Sequence, residues 1–456
     1  MAIQHTTSSL RSVIKAYDIR GVVGTDIDEE FISVVGAAYA HILREEGERR
    51  IAVGYDMRPS SPQLAAAFCR GATSQGLDVI ELGLTSTDEL YYASGSLSCA
   101  GAMFTASHNP AQYNGIKLCR AGAKPVSTET GLAEIARMVI DGVPGWDGEV
   151  GGVDKRDVLE DYAAFLRELA PLPQRRLVVA VDAANGMAGL TVPTVLDGLD
   201  VRPLYFELDG TFPNHEANPL DPENLEDLQK FVVEQGADIG LAFDGDADRC
   251  FVVDEKGNPI SPSAVTALVA TRTLASHPGA TIIHNAITSR AVPEIIEENG
   301  GTAVRTRVGH SYIKAHMAQT GALFGGEHSA HYYFAEFYNA DSGLLAALHV
   351  LAALAEQDQP LSQMMGSYDR YCASGEINSH VSDQEAATKR VVAAFEDRAV
   401  DIDRLDGVTI TLGENPPVWF NVRASNTEPL LRLNAEAPTQ GEVASLVEEV
   451  LSVIRA

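Results

Sequence analysis

IAVGYDMRPSSPQLAAAFCRGATSQGLDVIELG, residues 51–83, reads as strand, loop, helix and strand. IAVGYD is an apolar run of strand length, the Ala-rich middle has helical character, and DVIELG is a second strand. That order is a βαβ crossover, which implies parallel pairing. It recurs from Leu177, where LVVAVDAANG and a helical stretch lead to DVRPLYF. It recurs again from Thr281, where TIIHNAITSRAVPEIIEENGG leads to TAVRTRVG. Each module then continues into a further short strand and a polar loop: AGAMF into TASHNP, ADIGLAF into DGDADR, and GALF into GGEHSAH. Ligands of open α/β sheets gather beyond the carboxyl ends of strands, so the three loops are expected to converge on one central cleft.

After Pro360 the character changes. One helical stretch, QEAATKRVVAAFEDRA, precedes hairpin-like strands in VTITLGENPPVWFNVRASNTEPLLRLNAEA, and EVASLVEEVLSVIRA has helical period. The expected fold is α/β: three consecutive related α/β domains with mixed, largely parallel sheets, plus a smaller C-terminal α+β domain. The expected domains are 1–154, 155–260, 261–370 and 371–456.

The 456 residues suit about three or four domains. A formal charge of −29 argues against general nucleic-acid binding, because a polyanion is repelled unless cations are gathered locally. Arg and Lys inside the loops therefore matter. Cys69, Cys99, Cys119, Cys250 and Cys372 are scattered and odd in number, which reads as buried thiols in a reducing compartment. The N-terminal MAIQHTTSSLRS has no apolar h-region, and GLLAALHVLAALA (343–355) is too short to span a bilayer and reads as a buried helix. The expected location is the cytoplasm, with no membrane partner.

The polar loops carry the chemistry. TASHNPAQYNGIKL holds Ser107, His108, Asn109 and Lys117. A serine nucleophile needs a base or a metal, and side chains of adjacent Ser and His seldom face each other, so a Ser–His–Asp triad is not expected. Plain turn chemistry at Asn-Pro and Asn-Gly is the competing reading. FDGDADRCFVVDEKG holds Asp244, Asp246 and Asp248, carboxylates that cannot crowd together without a cation; their oxygens suit Mg²⁺ or Ca²⁺. Glu255 falls at the twelfth position of an EF-hand count, but Arg249 stands where that loop needs Gly, and the flanks read as strands. Mg²⁺ keeps part of its shell for phosphate oxygens, so this loop predicts a phosphate partner. In GGEHSAHYYF, Glu327, Ser329 and His331 suit sugar hydroxyls or a packed turn; RVGHSYIK upstream brings Gly309, His310 and Lys314. In FNVRASNTEPLLRL, Arg423, Ser425, Asn426 and Thr427 suit a phosphate or a turn before Pro429. Neither a Walker A sequence nor G-x-G-x-x-G is present, which leaves a nucleotide-dependent kinase or dehydrogenase unsupported.

In this order, TASHNP, DGDADR, GEHSAH and RASNTEP, together with IKAYDIRGVVG (14–24) and GYDMRPSSP (54–62), resemble the α-D-phosphohexomutase family along the whole chain. DGTFPNHEANPLDPENL (209–225) is similar to the phosphomannomutase/phosphoglucomutase branch. The glucosamine branch usually reads GEQSGH where this chain has His328 and Ala330, and some bacterial phosphomannomutases carry a Lys near Ala286.

The resemblance implies interconversion of hexose 1-phosphate and hexose 6-phosphate, mannose and glucose, through phosphoserine at Ser107 and a hexose 1,6-bisphosphate that also serves as activator. It implies Mg²⁺ on Asp244, Asp246, Asp248 and the phosphoserine. Arg249 and Lys117 would balance charge, and Lys117, His108 or Arg20 would move the proton. Tyr17, Arg20, Gly309 and His310 would line the sugar site, with Glu327, Ser329 and His331 on the hydroxyls. Arg423, Ser425, Asn426 and Thr427 would hold the unreacting phosphate. A monomer or homodimer is expected. Phosphoglucosamine mutase, sugar-phosphate phosphatase and a non-catalytic sugar-phosphate sensor are the alternatives.

Overall fold

A computed structural model of the chain describes residues 3, 6–171, 175–425 and 430–456. The chain forms two compact units, residues 1–259 with 331–362, and residues 260–330 with 363–456.

The first unit contains two sheets. One is built from Ile19–Val22 (β1), Arg50–Tyr55 (β2), Asp78–Leu84 (β3), Ala100–Phe104 (β4), Tyr113–Arg120 (β5), Lys124–Pro125 (β6) and Val153–Lys155 (β7). Its order is β1-β5-β4-β2-β3-β7, with β6 on β5. The β2–β3, β2–β4 and β3–β7 pairs are parallel, as the βαβ reading of residues 51–83 requires. β5 enters antiparallel beside β4, which makes the sheet mixed. The helices Glu29–Glu45 and Ser61–Ser74 pack closely because two glycines meet there: a Cβ on Gly71 would sit 1.9 Å from Ser33 O, and one on Gly36 2.3 Å from Phe68 O. Asp28 caps the first of these helices, accepting the Phe31 N–H at 2.8 Å.

The second sheet contains Val178–Asp182 (β8), Asp200–Leu204 (β9), Ile239–Phe243 (β10) and Cys250–Asp254 (β11), in the order β11-β10-β8-β9. β8 is parallel to β9 and to β10, while β10 and β11 form an antiparallel hairpin. Every residue of β10 and β11 is buried, and apart from the terminal Asp254 both strands read as apolar runs.

Residues 331–362 are part of this unit. The helix Gly343–Ala355 is apolar nearly all round and must be buried on all sides. Gly343 permits it: a Cβ there would meet Arg249 C at 2.7 Å and Ala247 O at 3.0 Å.

In the second unit Thr281–Asn285 runs parallel to Thr302–Thr306 and Phe324–Gly326. The C-terminal part is an antiparallel sheet around Leu430–Ala437, with the helices Gln384–Phe395 and Gln440–Ile454 packed on a core that includes Phe395, Phe420 and Val450. Among the described residues, no helix is long and apolar enough to cross a membrane.

Candidate active site

The serine loop joins β4 to β5. Ser107 has φ 50°, the left-handed region that an L-residue rarely occupies. Its N–H donates to Thr105 Oγ1 at 2.8 Å, and its Oγ donates to Asp244 Oδ2 at 2.8 Å. The same Oγ lies 3.2 Å from His108 Nδ1. This corrects the expectation that these neighbours face apart: the left-handed turn at Ser107 brings the two side chains to one side.

The Asp loop is the turn between β10 and β11, tightened by Ala247 at φ 62°. Arg249 holds Asp244, with Nε 2.9 Å and Nη2 2.8 Å from Oδ2. Asp246 Oδ2 accepts Thr87 Oγ1 at 2.5 Å and Lys117 Nζ at 2.6 Å, and Asp248 Oδ2 accepts the same Nζ at 2.6 Å. One oxygen from each of the three carboxylates lies within 4.8 Å of the others. Asp246 Oδ1 and Asp248 Oδ1 are buried without a hydrogen-bond partner. A buried anionic oxygen left bare is costly, and a hard divalent cation removes that cost, so the residues present fit one. An EF-hand does not form: the flanks are strands, and Glu255 instead accepts the Ser362 N–H at 2.9 Å and its Oγ–H at 2.5 Å.

The electrostatics follow from burial and proximity. Burial raises the Asp244 carboxyl above the ordinary range, and Asp246 and Asp248 raise it further, against Arg249. Burial would raise Asp246 too, but Lys117 and the Thr87 hydroxyl pull it well below. Burial would lower the Lys117 ammonium, yet Asp246 and Asp248 outweigh it and lift it well above its ordinary value. Lys117 thus stands doubly ion-paired between Asp246 and Asp248. His108 is driven well below its ordinary value by burial, then by Arg249 and Arg20, and stands as a neutral imidazole.

Arg20, on β1, reaches Asn109 Oδ1 with Nη1 and Asp18 Oδ2 with Nη2, the latter at 2.6 Å. Tyr17 is half-buried just before that strand. His331 Nδ1 lies 3.0 Å from Asp341 Oδ2 and 3.9 Å from Asp248 Oδ1. Three residues here escaped the sequence reading. Arg58 grips the serine loop, Thr87 holds Asp246, and Asp341 holds His331. Only Arg58 carried a signal, an Arg inside GYDMRPSSP.

In the second unit Glu327 is buried, and its Oε2 accepts the Asn285 amide and the Gly309 N–H, both at 3.1 Å. Ser329 is half-buried. Gly309, at φ 130°, starts the helix His310–Thr320; the His310 side chain lies outside the described residues. Arg423 lies 3.5 Å from Glu376 and 3.9 Å from Asp406, and the Ser425 N–H donates to Leu430 O at 2.9 Å. Asn426 and Thr427 lie outside the described residues. Near Ala286, Arg305 Nη2 donates to its carbonyl at 3.0 Å, so a cation does stand close to the position lacking a Lys.

Fold and site together define the class: an α/β phosphotransferase built around a carboxylate metal loop. Family models for phosphoglucomutase/phosphomannomutase match in sequence: α/β/α domain I over residues 11–143, II over 160–257, III over 261–371 and the C-terminal domain over 376–453. A phosphomannomutase of Salmonella montevideo is 39% identical over 444 residues, 93% of this chain and 94% of the relative. Phosphohexose mutases of Xanthomonas campestris pv. campestris are 39% identical over 455 residues, 97% and 98% of the two chains. The crystal structure of a phosphoglucomutase/phosphomannomutase family protein from Burkholderia thailandensis superimposes with a TM-score of 0.89 at 30% identity, covering 97% of each chain. The chain belongs to the phosphoglucomutase/phosphomannomutase family, the α-D-phosphohexomutases.

Proposed function

We propose that this chain interconverts hexose 1-phosphate and hexose 6-phosphate, of mannose and of glucose, through phosphoserine at Ser107 and an enzyme-held hexose 1,6-bisphosphate. The observation that carries the reading is the Ser107 hydroxyl held 2.8 Å from Asp244 in a strained left-handed turn, among carboxylates with two bare buried oxygens.

Asp244, Asp246 and Asp248 would hold Mg²⁺. When bound, the ion neutralises charge on the transferring phosphoryl group. In the first transfer the Ser107 Oγ–P bond breaks and a bond from phosphorus to the free O6 or O1 of the sugar forms. The hydroxyl proton leaves to a neutral acceptor, for which His108 is poised. The bisphosphate then presents its other phosphate; that O–P bond breaks and the Oγ–P bond is restored. A hexose 1,6-bisphosphate therefore also restores phosphate to Ser107 and acts as activator. Arg249 and Lys117 keep the carboxylates in place, and positioning with charge neutralisation supplies most of the acceleration.

Tyr17, Arg20, Gly309 and His310 line the sugar site in this reading, and Glu327 and Ser329 meet hydroxyls common to glucose and mannose. Arg423, Ser425, Asn426 and Thr427 take the unreacting phosphate, which Arg binds through its planar fork. The four segments 1–154, 155–260, 261–370 and 371–456 act as the four domains of such an enzyme. Five free thiols support a cytoplasmic location, and the enzyme works as a monomer or homodimer.

The test is mutase turnover with Mg²⁺ and a trace of glucose 1,6-bisphosphate on the 1-phosphates of mannose, glucose and glucosamine in parallel. Comparable rates on mannose and glucose are expected. Preference for glucosamine refutes the specificity. Absence of isomerisation in protein carrying phosphate at Ser107 refutes the function.

A further inference from the structure

The serine loop is held from behind by one side chain. Arg58 is 0% exposed, and its guanidinium donates to three backbone carbonyls of that loop and one at the start of β5: Ser107 O at 2.8 Å, Asn109 O at 2.6 Å, Pro110 O at 2.9 Å and Tyr113 O at 3.0 Å. Asp56 sets the orientation of the fork, accepting from Nε at 3.2 Å and from the Arg58 N–H at 3.0 Å, and is itself fixed by the Ser61 hydroxyl at 2.5 Å. Phe212 covers the guanidinium with its ring centre 5.0 Å from Cζ. Gly210 lets that covering segment close, because a Cβ there would stand 2.5 Å from Arg58 Cα. The Ser107 carbonyl is also confined from the Asp loop, where a Cβ on Gly245 would lie 2.4 Å from it.

We infer that Arg58 is a positioning residue for phosphoryl transfer: by drawing the loop carbonyls to one point it keeps Ser107 in its left-handed turn and so keeps Oγ against Asp244. The argument is conformational. An L-residue in the left-handed region relaxes unless its surroundings over-determine it. Rotation of the peptide after Ser107 is the simplest relaxation, and it requires the Ser107 carbonyl to leave Arg58. Only a planar five-donor fork serves four carbonyls and a carboxylate together; an ammonium offers three donors from a single point. The inference rests on the phosphoserine reading above. Its core, the conformation of the loop, is nonetheless measurable without turnover.

The experiment compares the full-length parent with Arg58→Lys, which retains the charge facing Asp56, and with Arg58→Ala, with and without added guanidinium. Four quantities are measured: thermal midpoint, kcat and KM with mannose 1-phosphate, and hydrogen exchange in peptides covering 105–117. Arg58→Lys is expected to fold, to exchange faster in that loop alone, and to lose kcat by roughly a hundredfold, the effect of a displacement near 1 Å. KM should stay within about threefold, since a group acting only on the transferring atom leaves ground-state binding alone. Guanidinium, but not ammonium, should restore activity to Arg58→Ala. The proposal is overturned if the Lys variant keeps kcat within about threefold of the parent, a difference of under 1 kcal/mol in barrier. It is also overturned if only KM rises, if exchange quickens across the whole unit, or if neither variant folds, since Arg58 is then a fold-wide support. Should the parent itself isomerise no hexose phosphate, the function fails. Loop exchange then decides the positioning role alone: quickening confined to 105–117 upholds it and unchanged exchange removes it.

Discussion

Replacing Glu89 with Gln should stabilise the first unit at neutral pH and do nothing in acid. Glu89 lies in the first turn of the helix Thr87–Ser96, is 2% exposed, and accepts the Ser86 N–H at 3.3 Å while its own N–H donates to Ser86 Oγ. Burial pushes its carboxyl up to about 8 from an ordinary 4.5; the Ser86 N–H opposes this, while Asp88 and Asp157 add to it. The folded-state value lies above the unfolded one. Its contribution is therefore fully present below pH 4.5 and is lost as pH rises through 8. Between pH 4.5 and 7 the unfolded chain releases a proton that the folded chain keeps, which at about 1.4 kcal/mol per pH unit costs folding roughly 3 kcal/mol at pH 7. Gln keeps an acceptor for the Ser86 N–H and carries no proton to lose. The assay is urea unfolding at several values between pH 4 and 8, in a Trp419→Phe background, so that Trp146 reports the unit containing Glu89. Equal stability at pH 4 and a gain of about 3 kcal/mol for Glu89→Gln at pH 7 is the expected result. A pH-independent difference, or a less stable Gln protein at pH 7, refutes the reasoning.

Asp246→Asn removes one carboxylate charge that also holds Thr87 and Lys117, and should weaken Mn²⁺ binding, followed by electron paramagnetic resonance, by at least about tenfold. Gly343→Ala forces a Cβ to 2.7 Å from the Arg249 backbone; it should cost about 1–3 kcal/mol in a melt and weaken the same Mn²⁺ binding by displacing the Asp loop. His284, driven down to about 4 by burial and Arg305, is depressed below its unfolded value, so its contribution is present above pH 6.5 and lost as pH falls towards 4. His284→Gln should flatten the acid arm of the second unit's stability, followed at Trp419, by up to roughly 3 kcal/mol. Ser107→Ala should lower repeated turnover by at least about a thousandfold, measured as initial rates with mannose 1-phosphate.

Much of the fold was legible because its information is local. Residues 51–83 announce strand, helix and strand by apolar run lengths, and the observed β2 and β3 follow them closely. Strands for AGAMF, IGLAF and CFVVD, and helices for 343–355 and the C-terminal stretch, come from the same reasoning. The antiparallel entry of β5 beside β4 was not legible, since a pairing direction depends on where the chain returns. The packing partner of the helix Gly343–Ala355 was hidden for a related reason: an all-apolar helix states that it is buried but not against what.

The site divides the same way. By itself the sequence determined which residue types stand at the ends of the strands: the serine, three alternating carboxylates, and the Arg and Lys to balance them. Spacing along one short loop decides whether carboxylates can converge, so Asp244, Asp246 and Asp248 could be read directly. Only the tertiary structure decided the partners. Lys117 meets Asp246 across 129 residues of chain, and Thr87 meets it across 159. His331 meets Asp341 and Asp248, and Arg58 reaches the loop of Ser107 from 49 residues away. Even the approach of His108 to the adjacent Ser107 needed a positive φ that no local preference of serine supplies and that the surrounding hydrogen bonds maintain. Residue identity sets what a group can do chemically, but its charge state and direction come from burial and from neighbours that only folding brings within reach.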